Sequence, residues 1–235
     1  QPLFRITGGA TLTVKDGQQV AATEITTSQT NKYGNLASME YDTSNGIPTG
    51  LTYYVTESVA NETHTTETLK AYEAHVKGAI VACSGSKESK ELRLIEINSG
   101  GHLNLESGMI TQDKNSCVKN LVYAADKSIV TMNGGYVCGG YCPDGAAGAG
   151  ISVENSTLDI SGGVIAGNSA PSGGGVYAKW STVTMSGGII SGNSTLANMS
   201  GYGGGIMGEG SNITVSGGYV TNNAYQYDYI TQGSD

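Results

Sequence analysis

Several residue types are scarce in this chain of 235 residues, and each scarcity removes a class of protein. There are only 4 prolines beside 36 glycines, which excludes collagen and argues against a Pro/Gly-rich disordered chain. One phenylalanine and one tryptophan stand against 14 tyrosines. Twelve basic residues against 20 acidic ones leave a net charge of −8, which disfavours nucleic acid and anionic lipid as partners, since both need a basic face. No apolar run approaches the 18 or so residues of a membrane span, so membrane insertion is not expected. No charged-then-apolar leader opens the sequence, which suits a mature or trimmed fragment, or a chain never exported. Nucleotide-binding glycine loops, HExxH and Gly-x-Ser-x-Gly motifs are all missing, and the three histidines (His64, His75, His102) are dispersed.

What the chain does contain is a repeat. "STVTMSGGIISGN" (181–193) has the same shape as "STLDISGGVIAGN" (156–168) and "SNITVSGGYVTNN" (211–223), with "SIVTMNGGYVCGG" (128–140) a close relative. Its first strand position falls at Leu103, Val130, Leu158, Val183 and Ile213, at spacings of 27, 28, 25 and 30. A second strand follows, with Val122, Ile151, Val176 and Ile206 spaced 29, 25 and 30, so both strands advance together. "FRITGGATLTVKDG" (4–17) matches "IEINSGGHLNLESG" (95–108) at an offset of 91, so the opening residues already belong to a coil.

A period of this length holding short strands and turns predicts a solenoid. The unit is too short for a propeller blade and has no leucine consensus, which leaves an all-β parallel β-helix whose coils stack about 4.8 Å apart. Glycine pairs then mark corners where a side chain would clash or φ must be positive. Ten residues after each first-strand position stand Asn168, Asn193 and Asn223, preceded by Asp113 and Gly140. Stacked in register, these asparagines are expected to form an inward hydrogen-bonded ladder.

The repeat "GGVIAGNSAPSGGGVYAKWSTVTMSGGIISGN" (162–193) resembles the Gly-Gly-aliphatic and Asn-x-Ala repeats of bacterial surface β-helices, notably polymorphic-membrane-protein-type autotransporter passengers and adhesin-like proteins of gut Firmicutes. The resemblance spans 98–235 well, 4–17 partly and 18–94 not at all. It implies a secreted, right-handed parallel β-helix displayed at the bacterial cell surface. The phenylalanine-containing tetrapeptides of the chlamydial members are missing, since Phe4 is the sole phenylalanine.

The expected organisation is a first coil segment over 1–17, an inserted excursion or irregular flank with partial coils over 18–94, and a regular β-helix over 95–235. Within the excursion, "TTETLKAYEAHVKG" (65–78) reads as a helix with a threonine cap and Leu69, Tyr72 and Val76 on one face. "AIVACSG" (79–85) reads as the second strand of a resumed coil.

Site expectations follow from the stacked loops. The loop after the asparagine position varies most between coils, and variable loops on one edge of a solenoid are where such proteins bind. That edge carries Tyr141, Asp144, Tyr202, Tyr225, Tyr227 and Asp228, and tyrosines with acidic neighbours suit sugar rings. Catalytic candidates are Asp113 and Asp144, in corresponding loops of neighbouring coils, where a glycoside hydrolase needs two carboxylates about 5–10 Å apart. Two solvated turn aspartates are the plainer reading. Cys117 and Cys142 fall in the same loop on consecutive coils and predict a disulfide, with Cys138–Cys142 the alternative pairing. The cysteine spacing suits neither a redox motif nor zinc, and no cofactor or metal is expected.

Three functions remain open at this point: an extracellular surface adhesin or glycan-binding scaffold, a glycoside hydrolase domain resembling the β-helical lacto-N-biosidase type, and a structural spacer or filament subunit. The expected partners are glycans or a host or microbial surface. An open last coil also predicts either a longer parent chain or copies stacked end to end.

Overall fold

The computed structural model describes residues 2–17, 21–32, 34–60, 64–75, 78–82, 92–141, 143, 147–196 and 201–225. Its repeating part is a parallel β-solenoid built of three six-stranded sheets, and no helix occurs among the described residues. One coil runs from Val176–Lys179 in the first sheet to Thr182–Met185 in the second and Ile189–Ser191 in the third. A two-residue strand, Ser194–Thr195, then joins a smaller parallel sheet before the chain climbs to the next coil. The register is the one the spacings predict. Val183 pairs between Leu158 and Ile213, and Val176 between Ile151 and Ile206. At the far end, Phe4 pairs with Ile95 and Leu12 with Leu103.

Strand alternation sends every second side chain inward. The columns Leu103–Val130–Leu158–Val183 and Ile95–Val122–Ile151–Val176 are fully buried in a single core, joined from the third sheet by Ile110, Val137, Ile165 and Ile190. The corner between second and third sheets shows why glycine comes in pairs. A Cβ on Gly187 would lie 2.4 Å from the Ser161 carbonyl oxygen of the coil below, while Gly188 has φ +84. The first glycine is required by close approach and the second by its backbone angle.

Two polar ladders close the other corners. Asn168 Nδ2 donates to Asn193 Oδ1 at 2.9 Å, and Asn193 Nδ2 to Asn223 Oδ1 at 2.9 Å. Each amide also reaches a main-chain carbonyl: that of Val137 from Asn168, of Ile165 from Asn193, and of Ile190 from Asn223. Where the ladder reaches a coil with glycine in its place, the Gly140 N–H donates to Asn168 Oδ1 at 2.9 Å. Asn168 and Asn193 are 0% exposed, so these bonds satisfy amides that burial would otherwise penalise. The serine ladder, at the corner between first and second sheets, is not anticipated from the sequence: the N–H of Ser128 donates to Ser156 Oγ, that of Ser156 to Ser181 Oγ, and that of Ser181 to Ser211 Oγ.

The excursion is a four-stranded antiparallel sheet, ordered Thr23–Ile25, Thr65–His75, Pro48–Ala60, Ser38–Tyr41. The helix expected over 65–78 is not formed: Thr65–His75 is a strand. It pairs with Pro48–Ala60 through eleven successive partners, from Gly50↔His75 to Ala60↔Thr65. The expectation fails because the hairpin satisfies a full ladder of backbone groups and sets Tyr72 beside Tyr53 on the face that packs onto the solenoid, a tertiary pairing that overrides the helical spacing of Leu69 and Tyr72.

A second correction concerns Ala79–Ala82. It pairs with Met109–Gln112 in the third sheet, Met109 opposite Ala79, rather than joining the first sheet as a second strand. The excursion therefore interrupts a single coil, leaving after Thr11–Val14 in the second sheet and returning at Gly78 to finish that coil in the third. The solenoid resumes at Ala79, before residue 95, as the reading of 79–85 as part of a resumed coil expects; only the sheet it joins differs.

The excursion sheet lies on the outer face of the third sheet. Met109, Tyr136, Cys138, Val164 and Ala166 point outward there and bury against Leu51, Tyr53, Val55 and Ala74, with Met39 and Ile189 packed alongside. Apolar neighbours such as Ile189 and Ile190 thus face opposite cores, the first toward the excursion and the second into the solenoid.

Candidate functional site: a tyrosine groove beside the glycine corner

Just past the Gly-Gly corner, the first residue of each third-sheet strand points outward, so Tyr136, Val164, Ile189 and Tyr219 stack as one column. The excursion sheet sets Tyr53 and Tyr72 opposite this column, their rings stacked at 5.4 Å and 17°. Between them runs a groove of about 480 Å³, floored by the corner glycines Gly134, Gly162, Gly188 and Gly218 and closed on one side by Ala21 and Ala22. It follows the solenoid axis over three coil steps, about 14 Å at the usual strand spacing.

The chemistry of the walls is uniform. Tyr53 and Tyr136 are buried, Tyr72 is half-buried, and Tyr219 stands at the open end. Burial raises the pKa of Tyr53, with Tyr136 and Tyr72 adding to the shift; burial likewise raises Tyr72 and Tyr136. At neutral pH the phenols are protonated, and that of Tyr136 is already engaged by the Ala22 backbone. Beside Tyr72, Lys70 contacts Glu57 at 3.1 Å and Glu24 at 3.7 Å, so the cation at this rim is already matched by carboxylates. The groove thus combines aromatic faces, neutral hydroxyls and bare backbone with no surplus positive charge. That lining fits a neutral ring-shaped ligand with an apolar face and hydroxylated edges.

The loop edge singled out from sequence lies at the opposite end of the third-sheet strands. Tyr141 is 46% exposed and bridges to Ser169, and Tyr202 is 67% exposed on a loop of a later coil. Tyr225 belongs to the short strand Ala224–Tyr225, paired with Ser194–Thr195. Tyr141 and Tyr202 do not line the groove. Asp144, Tyr227, Asp228 and Cys142 lie outside the described residues, so neither the Asp113–Asp144 pair nor the Cys117–Cys142 and Cys138–Cys142 bridges is placed. Asp113 is half-buried and caps a turn, its carboxylate accepting the Asn115 N–H at 2.8 Å. Cys117 is buried in its loop. Cys138 faces the excursion sheet, where burial pushes its thiol up to about 12, the profile of an unreactive core cysteine. Among the described residues, no group of three or more His, Cys, Asp or Glu side chains is placed to hold a metal ion.

Sequence reasoning missed all four groove tyrosines: Tyr136 and Tyr219 read as ordinary strand residues of the repeat, Tyr72 as part of a helix face, and Tyr53 not at all. Tyr53 and Tyr72 lie in the one region without a repeat, so no register located them; the signal for Tyr53 is the β-rich stretch "LTYYV" (51–55). No family model, curated protein or solved structure matches the chain, so its fold rests on its own stacking geometry.

Proposed function

We propose that this chain is a glycan-binding scaffold module of the extracellular bacterial surface, an adhesin-type β-helix that holds neutral oligosaccharides in the tyrosine groove. The observation that carries this reading is the alignment of Tyr53, Tyr72, Tyr136 and Tyr219 along one axial groove of about 480 Å³. Pyranose rings stack their apolar faces on such aromatics while their hydroxyls meet phenols and backbone carbonyls. A glycan array run beside chromogenic oligosaccharides tests it. Binding without release of chromophore is the expected result, and Tyr219→Ala, at the open end, weakens binding by up to roughly tenfold. Turnover of a chromogenic substrate would favour the glycoside hydrolase instead, and binding untouched by Tyr219→Ala would move the site off the groove.

End-to-end stacking of copies is a second reading. Its support is the last described coil, where Val215 is 50% and Val220 44% exposed although their counterparts Met185 and Ile190 are fully buried. Sedimentation at rising concentration reads it directly.

A further inference from the structure

A second cavity opens at the other end of the third-sheet strands. The turn that joins Ser38–Tyr41 to Pro48–Ala60 folds over the coil loop following Asp113 and is tied to it by the Lys114 N–H, which donates to the Gly46 carbonyl at 3.1 Å. The space between them, about 390 Å³, is lined by Tyr41, the turn residues Asp42 to Gly46, Lys114 and Asn115. The turn is internally fixed. Asp42 Oδ1 accepts from the Ser44 N–H at 2.8 Å and from the Ser44 hydroxyl at 2.6 Å, while Asn45 Oδ1 accepts the Ile47 N–H at 2.9 Å.

The charges on the two walls differ. Lys114 lines the cavity, is exposed, and makes no ion pair among the described residues. The same lining includes Asp42, whose carboxylate also accepts from Asn45 Nδ2 at 3.3 Å. A compact anion such as phosphate would meet Lys114 and Asp42 together and be repelled by the second; a neutral ligand would leave Lys114 unmatched. The lining is satisfied by a ligand with one negative end and a hydroxylated body.

We infer that this cavity is a subsite for an acidic monosaccharide unit of the uronic or sialic type, its carboxylate held by Lys114 and Asn115 and its hydroxyls by Asp42 and Tyr41. The inference is independent of the groove, because the two sites share no lining residue.

Saturation-transfer NMR and titration calorimetry with glucuronic acid, sialyllactose, glucose and acetate test it, on the unaltered chain and on Lys114→Gln, Lys114→Arg and Tyr219→Ala. The expected result is that glucuronic acid or sialyllactose binds at least about tenfold more tightly than glucose or acetate. Lys114→Gln removes that preference, Lys114→Arg retains most of it, and Tyr219→Ala leaves it unchanged. Failure of both acidic sugars to bind, equal binding of glucose, or indifference to Lys114→Gln overturns the inference. Acetate binding as tightly as glucuronic acid would reduce the site to one for simple anions and overturn the sugar assignment. Neutral oligosaccharide binding sensitive to Tyr219→Ala reports on the groove alone, so either proposal can fail without the other.

Discussion

The solenoid coils and the excursion sheet bury the same third sheet from its two sides by opposite means. Inside, Val137, Ile165 and Ile190 continue columns in which every coil supplies a similar residue at the same place. Outside, Tyr136, Val164 and Ile189 meet Leu51, Tyr53 and Val55, which recur nowhere else in the chain. Inside, each coil is held chiefly by its neighbours, as in any stack of repeats. Outside, one long hairpin spans several coils at once: the Tyr54 carbonyl accepts from Ser191, and the Thr56 N–H donates to Thr221 Oγ1 at 3.4 Å. The two sides should therefore fail differently when damaged.

The largest effect is expected inside. Val183→Asp places an unpaired carboxylate in the fully buried column and should cost about 3–5 kcal/mol, melting the coils on either side. Thr184→Asp, on the outer face of the same strand, lies one rung from Asp159 and should cost at most about 1 kcal/mol through like-charge contact. Thermal melts of the pair decide it, and equal losses would contradict the alternation.

A smaller and more local loss is expected outside. Leu51→Ala opens a cavity between the excursion and the third sheet and should cost about 2–5 kcal/mol. Hydrogen exchange should quicken over residues 38–75 while strands such as Thr182–Met185 keep their protection. Uniform loss of protection would show that the two regions unfold as one.

The smallest of the three falls in the ladder. Asn193→Ala removes the acceptor of the Asn168 N–H and amide and the donor to the Ile165 carbonyl, all buried, at a cost of about 1–3 kcal/mol. A melting temperature equal to that of the unaltered chain would mean the ladder contributes nothing.

How much of this was legible in the sequence depended on repetition. Leu158, Val183 and Ile213 fix their pairing because any slip of one residue would turn each strand's apolar set outward. Gly187 and Gly188 announce a corner, and Asn168, Asn193 and Asn223 announce a ladder, because identical residues recur where identical backbone must stack. Residues 65–75 had no such check. With Leu69 and Tyr72 spaced as on a helix, local pattern pointed one way, and only the partner strand Pro48–Ala60 settled it as a strand. Ala79–Ala82 is ambiguous for a related reason: a four-residue apolar strand fits any sheet of the coil, and its place follows from where the excursion interrupts that coil.

The solenoid, its register, its glycine corner and its asparagine ladder are all written in the repeat, since a repeat specifies contacts between equivalent positions without reference to the rest of the chain. Where the excursion docks, and with it both cavities, depends on long-range packing. Tyr53 lies 83 residues from Tyr136, and Gly46 lies 68 from Lys114. Nothing local encodes those meetings. They follow from burying the apolar outer face of the third sheet, a drive that is roughly proportional to area and carries no sequence address of its own.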